Sequence, residues 1–283
     1  MSDQNRFIKF NTFQQLHRQS STFVLPNAWD ASSARIFQES GFKAIGTTSA
    51  GMAISLGYSD GQKLPFVKLT ESLKMIVNSV NVPVSADIEA GYGASIEEVV
   101  ENIRQIILTG VVGINLEDGT GNPEDPIFDV SLQAEKITAI KELSRLLKMP
   151  LFINARTDLY WLNIGDPVLR LQSAINRAIA YQKAGADCIF IPGVKNIDTI
   201  EKLRQEISSP INLLAGADMP SLKRLSETGI ERVSSGSAPF RATITLLRKI
   251  SEDIINHGNF QLMIDDVITY NDVAELIKPS SDM

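Results

Sequence analysis

The chain has 283 residues, of which 43% are apolar and 21% charged, enough apolar material for one large core or two small ones. Its net charge of −6 removes the electrostatic basis for binding nucleic acid or an anionic membrane, and no apolar run approaches the roughly 20 residues that span a bilayer. A single cysteine, Cys188, cannot close an internal disulfide, and the polar N-terminus lacks the apolar core of a signal peptide, so a reducing cytoplasm is the expected location.

In chain order, short β-branched runs close on a glycine or a polar cluster. They are FVLPNA (23–28), AIGTTS (44–49), VPVSADIE (82–89), VGINLED (112–118), PLFINAR (150–156), CIFIPG (188–193), INLLAG (211–216) and RVSSGS (232–237). Amphipathic stretches of helical spacing separate them. The clearest is SIEEVVENIRQIILTG, where Ser95 and Glu98 form a capping box, Ile96, Val99, Val100, Ile103 and Ile107 make one stripe, and Gly110 ends the helix. Strict strand–helix alternation implies parallel pairing, because each crossover needs a helix. Eight such units predict an α/β fold of the (β/α)8 TIM-barrel type. A doubly wound open sheet is the rival, weakened by the missing G-x-G-x-x-G after FVLPNA. With no Pro-, Gly- or Ser-rich linker, residues 1–283 read as one barrel domain. Residues 239–283 exceed one closing helix and form a helical extension expected to pack against another subunit.

Chemistry in such a barrel sits at the C-terminal strand ends. The second predicted strand ends in Ser49, Ala50 and Gly51, and the third in Asp87 and Glu89. The fourth ends in Glu117 and Asp118, the fifth in Asn154, Arg156 and Asp158, and the eighth in Ser234, Ser235 and Ser237. Residues two apart on a strand share a face, so Asp87 and Glu89 are expected together. Acids converging on one mouth repel one another, and a hard divalent cation removes the conflict. Carboxylates with water suit Mg2+ or Mn2+, with Asp87, Glu89 and Glu117 as the metal residues. The plain alternative is that these acids cap helices or pair with Arg156. His17 and His257 lie away from the strand ends, which argues against zinc or a histidine base. Cys188 reads as a buried, inert thiol. Lys195 follows a Pro-Gly turn as a loop lysine, and DGTGNPED matches a phosphate loop only loosely.

TTSAGMAISLGYSDG, VSADIEAGYG, GINLEDG, FINARTD and LLAGADMPSLKRLSETGIERVSSGSAPFRA together resemble the isocitrate lyase/phosphoenolpyruvate mutase superfamily, over roughly residues 22 to 250. The resemblance implies a Mg2+-dependent barrel acting on 2-oxo acids, assembled as a homotetramer whose paired subunits exchange their last helices. It gives Ser49, with the backbone at Ala50 and Gly51, the substrate carboxylate, and adds Asn212 as a substrate-binding residue. Asp87 matches the direct metal ligand, Glu89 stands where the family usually has Asp and acts through water, and Glu117 matches the other acid of the metal site. Arg156, Asp60 and Tyr58 form the catalytic set, with Arg156 steadying the developing charge.

The departures are specific. The lyases for isocitrate and methylisocitrate carry a Lys-Lys/Arg-Cys-Gly-His loop after the fourth strand. Here the loop reads EDGTGNPEDPIFD, with no Cys, Lys or His. Asn122 stands in the region of the mutases' asparagine- and lysine-bearing lid, but the residues around it differ, and Pro192 stands in the segment where phosphonopyruvate-type members carry a histidine. The expected activity is a lyase that breaks a bond at C3 of a 2-oxo or 2-hydroxy acid through an enolate. P–C chemistry, as in a phosphonomutase or phosphonopyruvate hydrolase, is the runner-up. A phosphate-binding barrel enzyme and a non-catalytic binding barrel are the rivals from other classes.

Overall fold

A computed structural model describes residues 3–276. Every predicted run forms a strand: β1 (Phe23–Leu25), β2 (Asn27–Ala28), β3 (Ile45–Thr47), β4 (Val84–Asp87), β5 (Gly113–Glu117), β6 (Phe152–Arg156), β7 (Cys188–Phe190), β8 (Ile211–Leu214) and β9 (Arg232–Ser234). The first run is split because Pro26 has no N–H to give to a ladder. β1 pairs with β9 and β2 with β3, and all the pairs are parallel. One residue separates β1 from β2, so the sheet returns on itself as a barrel. Asn27 staples the seam: Nδ2 donates to the Thr47 carbonyl at 2.7 Å and Oδ1 accepts from Gly236 N at 2.9 Å.

The register places Asp87 beside Asn115, Asn115 beside Asn154, Glu117 beside Arg156, and Asn212 beside Arg232. Helices α2 (Ala31–Glu39), α3 (Ser49–Ser55), α4 (Phe66–Ser79), α5 (Ile96–Leu108), α6 (Val130–Leu147), α7 (Pro167–Lys183), α8 (Ile197–Glu206) and α9 (Leu222–Thr228) alternate with the strands. On α5, Val99, Ile103 and Ile107 of the predicted stripe are fully buried, while Ile96 and Val100 are half-buried. Ser95 Oγ caps Glu98 N at 3.3 Å, but Glu98 reaches one residue beyond the expected box, to Ala94 N at 2.7 Å.

Helix α1 (Asp3–Leu16) was not foreseen. It closes the N-terminal end of the barrel, where Phe13 and Phe152 meet edge to face at 5.1 Å. Its buried cations end on carbonyls: Arg6 Nη1 on Ile107 O at 3.1 Å and Lys9 Nζ on Val80 O at 3.1 Å. Both carbonyls sit at helix C-termini, where cations are favoured. After β9 come α10 (Ala238–His257), a short turn and α11 (Tyr270–Leu276); the rest of the predicted extension lies outside the described residues. No helix among the described residues is long and apolar enough to cross a membrane.

Candidate active site

A cavity of about 120 Å³ opens at the C-terminal strand ends. Of the residues singled out from sequence, Ser49, Ala50, Asp60, Asp87, Arg156, Ser234 and Ser237 line it, whereas Gly51, Tyr58, Glu89, Glu117 and Asn212 do not. The short helix α3 sets the first group. Its N-cap Thr48 accepts from Gly51 N at 3.3 Å, which engages one of the amides expected to meet substrate. Ser49 N donates to Asp87 Oδ2 at 3.0 Å, so the amide and the acid are tied together. Tyr58 packs on the rim of the core, with Lys68 Nζ 5.8 Å from its ring centroid.

Asp87 is held on three sides. Besides Ser49, Asn115 Nδ2 donates to Oδ1 at 2.9 Å, and Asp87 N donates to Thr47 Oγ1 at 2.8 Å. Asn115 Oδ1 accepts in turn from Asn154 Nδ2 at 2.9 Å, so two inward asparagines fix the carboxylate. Glu89 departs from the expectation of one shared strand face. The strand ends at Asp87, and Glu89 adopts a φ of 52°, which breaks the two-residue period. Its carboxylate accepts from Gln62 N at 2.6 Å and from Tyr92 OH at 2.9 Å. Gln62 Oε1 accepts from Tyr92 N at 2.6 Å, so the two loops clasp each other. Burial, then the charge of Asp87, raises the Glu89 carboxyl to about 7.

Arg156 sits between two acids. Nη1 lies 2.9 Å from Glu117 Oε2 and Nε 2.6 Å from Asp158 Oδ1. Burial opposes the guanidinium's charge, but Glu117 and Asp158 outweigh it and raise the pKa. Burial raises the Glu117 carboxyl well above its ordinary value, and Arg156 acts against that rise. Asp60 stands exposed at the rim; desolvation of its carboxyl and the nearby Asp87 raise its pKa. Asp118 does not join these acids at the mouth. It points into the outer layer, where its carboxylate accepts from Asp158 N at 2.9 Å, Arg177 Nη1 at 3.1 Å and Tyr181 OH at 2.6 Å.

Around Arg156 stand Asp60, Asp87, Glu89, Glu117 and Asp158, and their mutual repulsion contributes to the raised pKa values. One guanidinium leaves this group negative, so the donor set suits a hard divalent cation. Among the described residues, no three acids, histidines or cysteines stand close enough to hold an ion by themselves. An ion bound there would be held by few side chains, with water completing its shell, a coordination that Mg2+ accepts because it keeps several waters.

Gly119 touches the Arg156 clamp: a Cβ there would lie 2.7 Å from Asp158 Oδ2. The following loop folds back through the Gly119–Ile127 bridge, and Asn122 Oδ1 caps Glu124 N at 3.1 Å within it. Cys188 is fully buried, and burial pushes its thiol up to about 12, as an inert core thiol requires. The reading of the sequence missed Asn27, Trp161, Phe190 and Arg232, which also line the cavity. Arg232 had a legible signal, because it alternates with Ser234 on one strand face.

A sequence profile described as phosphoenolpyruvate phosphomutase matches residues 13–255. An uncharacterized protein of Mycobacterium tuberculosis (strain ATCC 25618 / H37Rv) is 36% identical over 235 residues, covering 82% of this chain and 84% of its own. The oxaloacetate decarboxylase of Pseudomonas entomophila (strain L48) is 29% identical over 242 residues, covering 82% of this chain and 80% of its own. Among solved structures, a candidate lyase/mutase from Burkholderia cenocepacia J2315 superposes with a TM-score of 0.89 at 31% identity, covering 96% of each chain.

Proposed function

The chain belongs to the phosphoenolpyruvate phosphomutase family, within the isocitrate lyase/phosphoenolpyruvate mutase superfamily, and from that premise we propose a Mg2+-dependent carbon–carbon lyase that acts on a small 2-oxo or 2-hydroxy acid. The observation that carries the reading is Arg156, clamped between Glu117 and Asp158 and lining a cavity that Asp60 and Asp87 also line. Asp87 would hold Mg2+ directly (Mn2+ could replace it), and Glu89 and Glu117 would act through water. When bound, the ion supplies a Lewis acid for the 2-oxo group. Ser49 and Ala50, at the start of α3, would orient the substrate carboxylate, while Gly51 N stays engaged with Thr48. Asp60 would act from the rim, and Tyr58 would act by moving with its loop. Asn212 would brace the barrel wall through Ser234 Oγ, which lies at 3.1 Å.

Breaking a bond at C3 leaves an electron pair that becomes an enolate. Arg156 presents a fixed positive charge where that negative charge develops, and such preorganised charge stabilises a transition state strongly. The Pseudomonas relative, named an oxaloacetate decarboxylase, agrees with this chemistry. P–C bond chemistry fits less well at the lid, because residues 119–128 contain no Lys, Arg or His to hold a phosphoryl group. We place the protein in the cytoplasm as a homotetramer. Titration with Mg2+, with and without the enolate mimic oxalate, tests the reading. Oxalate should bind only in the presence of the ion, and Mg2+-independent binding of oxalate would reject it.

A further inference from the structure

One buried cation of the cavity wall has no part in the chemistry above. Arg232 opens β9, is 2% exposed and lines the cavity. Its Nε donates to Ser234 Oγ at 3.1 Å, and Ser234 Oγ donates to Asn212 Oδ1 at 3.1 Å. Its Nη1 is buried and has no acceptor. None of the ion pairs among the described residues includes Arg232. Beneath it is apolar: the Phe13 ring centroid lies 5.9 Å from the guanidinium. The acid whose charge reaches it is Asp87, which is already held by Ser49 N and Asn115 Nδ2. Burial lowers its pKa to about 10, so it remains charged at neutral pH.

Ser85, on β4, is also 2% exposed and lines the same cavity, and its Oγ has no partner. Two desolvated donors without acceptors are unfavourable by themselves, and a fully buried guanidinium strongly so. Both stand by the Phe13 ring, since a Cβ built on Gly113 would lie 3.1 Å from Phe13 Cε1 and from Ser85 Oγ alike, so an oxyanion held above that ring would meet both, and the planar guanidinium suits a carboxylate or a phosphonate. We propose that Arg232 and Ser85 form an oxyanion receptor on the cavity wall, which takes a second anionic group of the substrate and so selects compact diacids over monoacids.

The proposal rests on the 2-oxo-acid reading, in which the first carboxylate lies by Ser49 and Ala50 at the start of α3. Arg232 then meets the group carried at the other end of the molecule. Three 2-oxo acids that differ only in that group make the test: oxaloacetate carries a carboxylate, phosphonopyruvate a phosphonate and 2-oxobutanoate a methyl. Trp161 lines the cavity, so its fluorescence reports binding in the presence of Mg2+. Wild type should bind at least one diacid about 10–100-fold more tightly than 2-oxobutanoate, the range for a charge-assisted hydrogen bond. Whether oxaloacetate or phosphonopyruvate is preferred identifies the group received.

Arg232→Gln should abolish the preference while leaving oxalate binding within a few-fold of wild type. Arg232→Lys keeps the cation in a similar volume and should retain part of the preference; it also serves if the glutamine variant does not fold. Equal binding of all three acids by wild type would overturn the proposal, as would a preference that survives in Arg232→Gln. Failure of oxalate to bind wild type with Mg2+ would reject the 2-oxo-acid reading instead, while a diacid preference lost in Arg232→Gln would still support the receptor.

Discussion

Replacing Arg156 should lower turnover far more than it weakens substrate binding. The guanidinium reaches Asp158 through Nε and Glu117 through Nη1, and it also lines the cavity. It can therefore neutralise the acids and meet an enolate with one rigid group. Loss of a single donor aimed at a developing oxyanion costs about 10²–10³ in kcat, or about 2.7–4 kcal/mol. Arg156→Ala also strands two acids whose side chains are only 16% and 4% exposed, and breaking a buried pair in this way costs about 3–5 kcal/mol of stability. The alanine variant should thus show both a lower melting temperature and a collapsed kcat. Arg156→Lys separates the effects: it keeps the charge but loses the planar fork, so stability should largely return while kcat recovers only in part. Steady-state pyruvate release at saturating Mg2+, with KM measured alongside, reads the difference. Full kcat in Arg156→Lys, or an alanine variant altered only in its Mg2+ requirement, would reassign Arg156 to neutralising the acids.

Gly119→Ala should reach the same arginine indirectly, because the new Cβ would lie 2.7 Å from Asp158 Oδ2; kcat should fall with the fold intact, and unchanged kinetics would show that Asp158 does not position Arg156. His17 gives a pH signature. Burial, and then Arg232, lowers its pKa from 6.5 to about 3, so the unfolded chain takes up the proton first. The stability present above pH 6.5 should then be lost progressively on acidification towards about pH 3. Urea unfolding of His17→Phe should lack this component, and parallel pH slopes for variant and wild type would refute the assignment. The tail exposes Leu246, Leu247, Ile255, Phe260, Leu262, Ile264 and Val267, more apolar surface than a lone subunit usually leaves in water. Light scattering should give a tetramer that weakens on truncation at Gly258, and a monomeric full-length protein would contradict the assembly.

The barrel was legible because β-branched runs and capped amphipathic helices repeat in strict alternation, and such local signals determine a parallel sheet. The site was legible only where a side chain follows from strand register. Asp87 and Arg156 lie on strands and line the cavity as expected. Glu89 and Asp118 lie just past strand ends, where the backbone turns and the two-residue period stops applying. Gly51 and Tyr58 depend on how α3 docks, which is a tertiary matter. Helix α1 was hidden because its sequence lacks a marked apolar face; it is fixed by Phe13 and by two cations that reach distant carbonyls. Arg232 was readable from its alternation with Ser234 but lay at the start of its strand rather than at the end, where chemistry was sought.

A panel of compact 2-oxo and 2-hydroxy acids, followed for pyruvate release with Mg2+ and again in excess chelator, tests the metal-dependent lyase most directly. Wild type should release pyruvate from at least one acid of the panel, lose that activity in chelator and regain it on adding Mg2+, while Asp87→Ala should stay inactive and show weakened Mg2+ binding by calorimetry. Full turnover in excess chelator, or an Asp87→Ala variant that binds Mg2+ and turns over as wild type does, would contradict it.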